Sequence, residues 1–492
     1  MSMARWLPLD LVVPSLVAVG LLAPGCGPAA ESDAELQAPS AQEASTPTAL
    51  DAYVAAPDPA YEWTLQATLE GEGVSAYVLE LVSQSWLTAD EVDRTLWKHW
   101  LTVFAPDEIE ADTGFLYITG GDNDDPAPST IDPRFAGMAT ATASVVAELR
   151  MVPNQPLTFV GDATGRRWED ALIAYGWDKF LRGGREEWLA RLPMTKSAVR
   201  AMDAVAELMA GEIGGGSTVS HFVVAGGSKR GWTTWTTAAV DPRVVAIVPL
   251  VIDLLNVEAS FVHHYQAYGF WAPAVKDYVD MGIMAWMGTD PYAELNRLVE
   301  PFEYRDRLTM PKLLINASGD QFFLPDSSQF YFDQLPGETH LRYVPNTGHS
   351  LGGTDAFESV LAFYEAIVND RPRPEFTWGR LGDQGLEVQV DVDNPPSEVL
   401  LWQASNEEKR DFRVDVIGKT YTSQPLADEG GGRYTATVES PPSGWSAFFI
   451  ELTYPSGLEV PFKFTTEVRV VPDTLPFESP FEVGAAGTAE GP

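Results

Sequence analysis

Residues 223–250, VVAGGSKRGWTTWTTAAVDPRVVAIVPL, carry an apolar run through Gly226 and Gly227 to Ser228 and restart as a small-residue segment at Gly231. A serine presented between a buried strand and a helix has the setting of a nucleophile. Such a turn leaves no room for neighbouring side chains, and the helix start stabilises developing negative charge. The spacing is G-x-S-x-x-G, one residue longer than the usual elbow, because Arg230 stands before Gly231. A plain glycine turn is the competing reading; a phosphate loop needs a spacing that is absent.

A serine of this kind needs a histidine to take its proton and a carboxylate to orient that histidine. In strand-turn-helix hydrolases the chain order is serine, acid, histidine. The acid belongs after the apolar run of PKLLINASGD (311–320), which offers Asp320, with Asp326 nearby in FFLPDSS. Of six histidines, His99 and His221 precede the serine, His340 opens a strand, and His263 and His264 sit in an aromatic segment. His349, in VPNTGHSLGG, alone falls in the loop after the last expected strand. Asp253, just after VVAIVPLVI (244–252), is a rival acid at the same sheet edge. The oxyanion would meet the Lys229 backbone N–H and one from TGGDN, at Gly121 or Asp122.

These groups require a sheet to hold them. GFLYITGG (114–121), SVVAELRMVP (144–153), HFVVAGG (221–227), VVAIVPLVI, PKLLINASGD and THLRYVPNTGH (339–349) read as strands. Helical spacing at 198–209, 231–240 and 355–368 alternates with them, which implies a mostly parallel sheet covered on both faces. Two β-like stretches precede these, at 75–86 and 98–106, giving an α/β domain over 49–373. Between 256 and 310 an aromatic segment with helical spacing suggests a lid, its rings serving packing or a substrate pocket. Beyond 374, LEVQVDVDN, EVLLWQAS, FRVDVI, RYTATVES, SAFFIELTYP and VPFKFTTEVRVV alternate apolar and polar residues. They predict a separate Ig-like β-sandwich over 374–475, with a disordered tail at 476–492.

Thirty-two basic against 70 acidic residues give a formal net charge of −38. Like charge and the lack of a basic block argue against nucleic acid or an anionic membrane surface, and favour cationic peptides. Residues 1–26 hold Arg5, an apolar run at 11–22 and the single cysteine, Cys26. That run is too short to span a bilayer, so the segment reads as a signal peptide. The pattern resembles a lipoprotein signal whose Cys26 is lipidated, a simply cleaved signal being the alternative. Residues 27–48 are a tether of Ala, Glu, Ser and Pro. Neither a cofactor nor a metal is expected: His263-His264 lacks a second ligand cluster, and GGDNDDP (120–126) does not match a calcium loop. Lys229 and Arg230 either bind an anion or pair with acidic neighbours.

The segments TALDAYVAAPDPAYEW, SQSW, WKHWLTVFAP, GGSKRGWTTW, MPKLLINASGDQFFLPDSS and PNTGHSL resemble the family of PhoPQ-activated pathogenicity-related proteins, from about residue 49 to about 470. The resemblance implies an α/β-hydrolase fold, an exported or envelope location, and a link to virulence and cationic-peptide resistance. It leaves the substrate open. The elbow also resembles the G-x-S-R-x-G of glucuronoyl esterases, with Lys229 in place of arginine. The expectation is a Ser-His-Asp hydrolase of an ester or peptide bond, built as an α/β-hydrolase core, a helical lid and a sandwich. The alternative is a non-catalytic envelope protein that binds peptides or sugars.

Overall fold

The structure, a computed structural model, describes residues 47–480. The signal peptide, Cys26, tether residues 27–46 and tail residues 481–492 lie outside the described residues. Thr48, assigned to the tether, instead caps the first helix, α1 (Ala49–Ala55), by a reciprocal capping box with Asp51. At the other end, the tail begins in contact: the Phe477 amide donates to the Gln266 carbonyl at 3.0 Å.

Three antiparallel strands follow, β1 (Glu62–Gly71), β2 (Val74–Ser85) and β3 (Leu96–Pro106). Then come β4 (Thr113–Ile118), α2 (Pro133–Thr142), β5 (Val146–Leu149) and a two-stranded ribbon of β6 (Leu157–Thr158) and β7 (Arg166–Arg167). Helices α3 (Glu169–Leu181) and α4 (Arg191–Ala210) lead to β8 (His221–Gly227), α5 (Lys229–Val240) and β9 (Val244–Leu250). A helical insertion, α6 (Val257–Tyr268), α7 (Lys276–Asp280) and α8 (Asp290–Val299), precedes β10 (Lys312–Ala317), β11 (Thr339–Val344) and α9 (Ala356–Val368).

The strand order β1-β2-β3-β5-β4-β8-β9-β10-β11 is parallel from β5 to β11. Its inner strands are mostly apolar, as strands covered on both faces must be, with Lys312 and Asn316 of β10 among the exceptions. Core residues of α4 and α5, such as Leu208, Trp232 and Trp235, belong to one face; Phe135 of α2 and Phe363 of α9 belong to the other. Each such side chain contributes roughly 1.5–3 kcal/mol on burial. The threonines of α5 are buried because their hydroxyls turn back onto its own carbonyls, as Thr237 does to Thr233 at 2.7 Å.

The C-terminal strands depart from expectation. They are β12 (Phe376–Leu381), β13 (Gly385–Val390), β14 (Glu398–Asn406), β15 (Thr422–Pro425), β16 (Arg433–Thr437), β17 (Trp445–Tyr454), β18 (Phe462–Thr465) and β19 (Arg469–Val471). Rather than forming a free-standing sandwich, β18 pairs antiparallel with β11 at Leu341↔Thr465. The central sheet therefore continues through β18, β17, β14 and β15. A second sheet, β12-β13-β16, shares the α9-side core with it through Leu386, Val388 and Ile450. The segment FRVDVI, read as a strand, forms a short helix instead, α10 (Val414–Ile417). Asp411 holds its first residues through Arg413, whose backbone N–H and guanidinium both donate to it.

Candidate active site

Ser228 sits between β8 and α5 at φ 58° and ψ −124°, a conformation L-residues rarely adopt. Such backbone strain costs about 1–3 kcal/mol and persists only where the surroundings enforce it. Here the Ser228 N–H donates to Leu250 O at 2.8 Å, and its carbonyl accepts from Trp232 N–H at 3.0 Å. The glycines are not equivalent. A Cβ on Gly226 would lie 2.7 Å from Arg230 O, and one on Gly231 would lie 2.8 Å from Ile252 Cγ2. At Gly227 the nearest atom is 3.9 Å away, so that position has room for a side chain.

The loop after β10 brings Asp320 to the His349 ring, with Oδ2 at 2.8 Å and Oδ1 at 3.0 Å from Nδ1. Asp320 is itself fixed by the Phe322 N–H at 2.7 Å. His349 Nε2, the other ring nitrogen, is buried and has no hydrogen-bond partner among the described residues. The ring packs on Phe322 and Phe323 at centroid distances of 4.3 and 5.9 Å, and both phenylalanines line the cavity that Ser228 faces.

Residues that sequence reasoning did not single out hold this pair. Gln321 accepts from the His349 N–H at 2.9 Å. The Gly319 N–H donates to Thr347 O at 3.1 Å, tying the acid loop to the histidine loop, and Val414 N–H donates to Gly319 O at 2.9 Å. Asn346 and Tyr421 exchange two hydrogen bonds of 2.9 Å. The segment expected to be a sandwich strand thus braces the acid loop.

Asp253, the rival acid, makes no hydrogen bond to His349. It is 3% exposed and accepts the hydroxyls of Tyr331 and Tyr343 at 2.6 and 2.7 Å. Burial pushes its carboxyl up to about 7, against the pull of those two donors. Asp326 is occupied too: His263 lies 3.1 Å and Arg410 2.5 Å from its Oδ2. Burial opposes its ionisation, but Arg410 and His263 hold the carboxyl well below the usual range. His264 accepts the Ala272 N–H at 3.0 Å, and the two histidines form no metal group with other ligand side chains among the described residues.

At the turn after β4, the Asp122 N–H is taken by Asp125 Oδ2 at 2.9 Å, which removes it as an oxyanion donor. Gly121 in the same turn and Lys229, first residue of α5, keep their places as candidates. The Lys229 and Arg230 side chains pair with acids. Arg230 clasps Glu169 through two bonds of 2.6 and 2.7 Å, and Lys229 Nζ lies 2.7 Å from Glu169 and 3.1 Å from Asp170. Burial opposes ionisation of Glu169, yet the two cations outweigh it and hold the carboxyl at about 2.

The cavity beside Ser228 has a volume of about 40 Å³. Trp177, Trp232 and Ile252 wall it with Phe261, Tyr278 and Tyr292 of the insertion; Asp170, Arg191 and Lys229 form its polar end. So the insertion's aromatic residues do line a pocket, while also packing on one another, as Phe261 does on Trp271 at 5.9 Å.

Among curated proteins, the chain is 41% identical over 471 residues to autocrine proliferation repressor protein A of Dictyostelium discoideum, covering 89% of this chain and 94% of that one. Among solved structures it is similar to acetyl xylan esterase 1 from Thermoanaerobacterium sp. JW/SL YS485, with 15% identity, a TM-score of 0.42, and coverage of 65% of this chain and 93% of that one. It is also similar to the Pyrococcus horikoshii acylaminoacyl peptidase, with 11% identity, a TM-score of 0.39, and coverage of 63% and 50%. Likeness that distant says nothing about the chemistry of this chain. The family match is of another order: residues 50–413 fit the PhoPQ-activated pathogenicity-related protein family, and the chain belongs to it.

Proposed function

We propose that this protein is a serine hydrolase that cleaves an ester or amide bond through an acyl-enzyme. Ser228 is the nucleophile, His349 its general base and then acid, and Asp320 the carboxylate that sets the imidazole tautomer. One observation carries the reading: Asp320 holds His349 Nδ1, while Nε2, the nitrogen that must take the serine proton, is buried and unpartnered among the described residues, on a ring packed against Phe322 and Phe323, which line one cavity with Ser228. Serine–histidine hydrogen bonds often tighten only once substrate is bound.

Ser228 Oγ attacks the acyl carbon while Nε2 takes its proton. The Lys229 and Gly121 N–H groups meet the oxyanion, and Nε2 returns the proton to the leaving group. Water then repeats the sequence to free the acid and Ser228. The helical insertion acts as the lid over the cavity, since its aromatic side chains supply one wall. The 1–26 segment supports export, with Cys26 as the lipid-accepting residue.

The test is labelling by a fluorophosphonate probe. Wild type should label, Ser228→Ala should not, and Asp320→Asn and His349→Gln should slow labelling by about 10²-fold or more. A folded wild type that fails to label refutes the assignment and favours a peptide- or sugar-binding role for the cleft.

A further inference from the structure

Three cations, Arg191, Lys229 and Arg230, gather at the polar end of the Ser228 cavity, and only Lys229 and Arg230 form direct ion pairs there among the described residues. Arg230 clasps Glu169 through both guanidinium nitrogens, at 2.6 and 2.7 Å. Lys229 takes Glu169 and Asp170 at 2.7 and 3.1 Å, and Asp170 also accepts the Tyr278 hydroxyl at 3.0 Å. Both carboxylates are therefore engaged, and neither is left for a cationic substrate group. Asp277, partly buried nearby, has its carboxyl pushed up by burial and by Asp170 and Asp280, against the pull of Lys276 and Lys229.

Arg191 has no ion-pair partner among the described residues. It is 4% exposed and lines the cavity. Its Nη1 donates to the Lys229 carbonyl at 2.9 Å, one residue from the nucleophile, and its guanidinium carbon lies 4.4 Å from the centre of the Trp232 ring. Its Nε has no partner among the described residues. The guanidinium meets the Tyr278 hydroxyl and feels the Asp170 carboxylate, to which that hydroxyl donates, but no carboxylate pairs with it directly, and a planar carboxylate is the group its donors fit best.

We infer that the Ser228 cavity takes an acyl group carrying its own carboxylate, seated on Arg191 a few bonds from the reacting carbonyl. This rests on the hydrolase reading above. The cavity is small, about 40 Å³, so the acyl chain is short. Hydrolysis adds water across the acyl bond: hydroxyl goes to the acyl carbon and a proton to the leaving group, releasing a short dicarboxylate.

The experiment compares kcat/KM for mono-4-nitrophenyl glutarate and 4-nitrophenyl valerate, at one ionic strength because the chain's charge of −38 slows anions. Wild type should prefer the glutarate half-ester by about 10- to 100-fold, the span expected of a charge-assisted hydrogen bond. Arg191→Gln should abolish the preference and Arg191→Lys should keep part of it. A wild type that hydrolyses valerate equally or better, with Ser228→Ala inactive, overturns the inference and leaves the hydrolase standing. If neither ester is cleaved and Ser228 does not label with a fluorophosphonate, both fall. Should Arg191→Gln not fold, protection of wild-type labelling by glutarate but not valeramide supports the inference, and no protection by glutarate overturns it.

Discussion

Asp253→Asn separates the two aspartates that the sequence leaves in competition. Asp253 is locked between two tyrosine hydroxyls, and burial pushes its carboxyl up to about 7. In the unfolded chain an aspartate ionises near 3.9, so between those values the folded state keeps a proton that the unfolded state releases. A raised carboxyl favours folding most at low pH, and that contribution is lost as pH rises through the folded value. From pH 5 to pH 8 the folded chain passes about two units of that window, a loss of roughly 2.7 kcal/mol. Asparagine has no charge to bury and escapes the loss. It gives up a hydrogen-bond acceptor where its amide nitrogen replaces an oxygen, but that term does not change with pH. Unfolding entropy for 492 residues is roughly 1 kcal/mol per degree. The variant's melting temperature relative to wild type should therefore rise by about 3 °C between pH 5 and pH 8. Melting curves of both proteins at the two pH values provide the measurement, with fluorophosphonate labelling run beside them. A gap that does not move with pH refutes the buried-carboxyl argument. Labelling lost in Asp253→Asn but kept in Asp320→Asn would overturn the choice of acid.

Other outcomes follow from contacts near the site. Gly231→Ala gains helix propensity but drives its Cβ to 2.8 Å from Ile252 and 2.9 Å from Gly226 O, so it should destabilise by up to about 2 kcal/mol and slow labelling. Gly227→Ala, with 3.9 Å of clearance, should melt and label as wild type does, within about 0.5 kcal/mol. Arg410→Met leaves Asp326 buried without its guanidinium and should cost about 3–5 kcal/mol; urea titration of Arg410→Met against Arg410→Met with Asp326→Leu should show the double variant recovering part of it. A fragment of residues 47–373 exposes the β11 edge and lacks α10, so it should not refold into a labelling-competent protein, whereas 47–480 should. Labelling by the shorter fragment at the full rate would show that the C-terminal strands are dispensable.

What could be read from the sequence was what local pattern determines. The apolar runs around Ser228, Asp320 and His349 are buried parallel strands, and such strands announce themselves by composition. Chain order and strand ends pointed to Asp320 and His349, with Asp253 left as a rival acid. Three things were hidden. The β11–β18 contact joins residues Leu341 and Thr465, far apart in sequence, and strand pairing leaves no mark on either segment alone. FRVDVI alternates like a strand, yet Asp411 and Arg413 set its start and turn it into a helix. Arg191 opens a largely apolar helix, where an arginine reads as a solvated end; only the fold reveals that it is buried and lines one cavity with Ser228.

The two halves of the site are held by different means, and this bears on how it fails. Ser228 is shaped locally: Gly226, Gly231 and the Leu250 carbonyl impose its strained turn within a few residues and one neighbouring strand. Asp320 and His349 depend on distant props. Val414 fastens the acid loop at Gly319, and Tyr421 fastens the histidine loop at Asn346, both from the chain beyond the last core helix. Loops held at several points lose little entropy when substrate arrives, which is what placing a general base within reach of a proton requires. Loosening the C-terminal strands should then leave Ser228 strained in its turn and displace His349, the base proposed for it. Because the same strands also complete the central sheet through β11, the proposed mechanism makes the reactivity of Ser228 depend on their fold as well as on the two props.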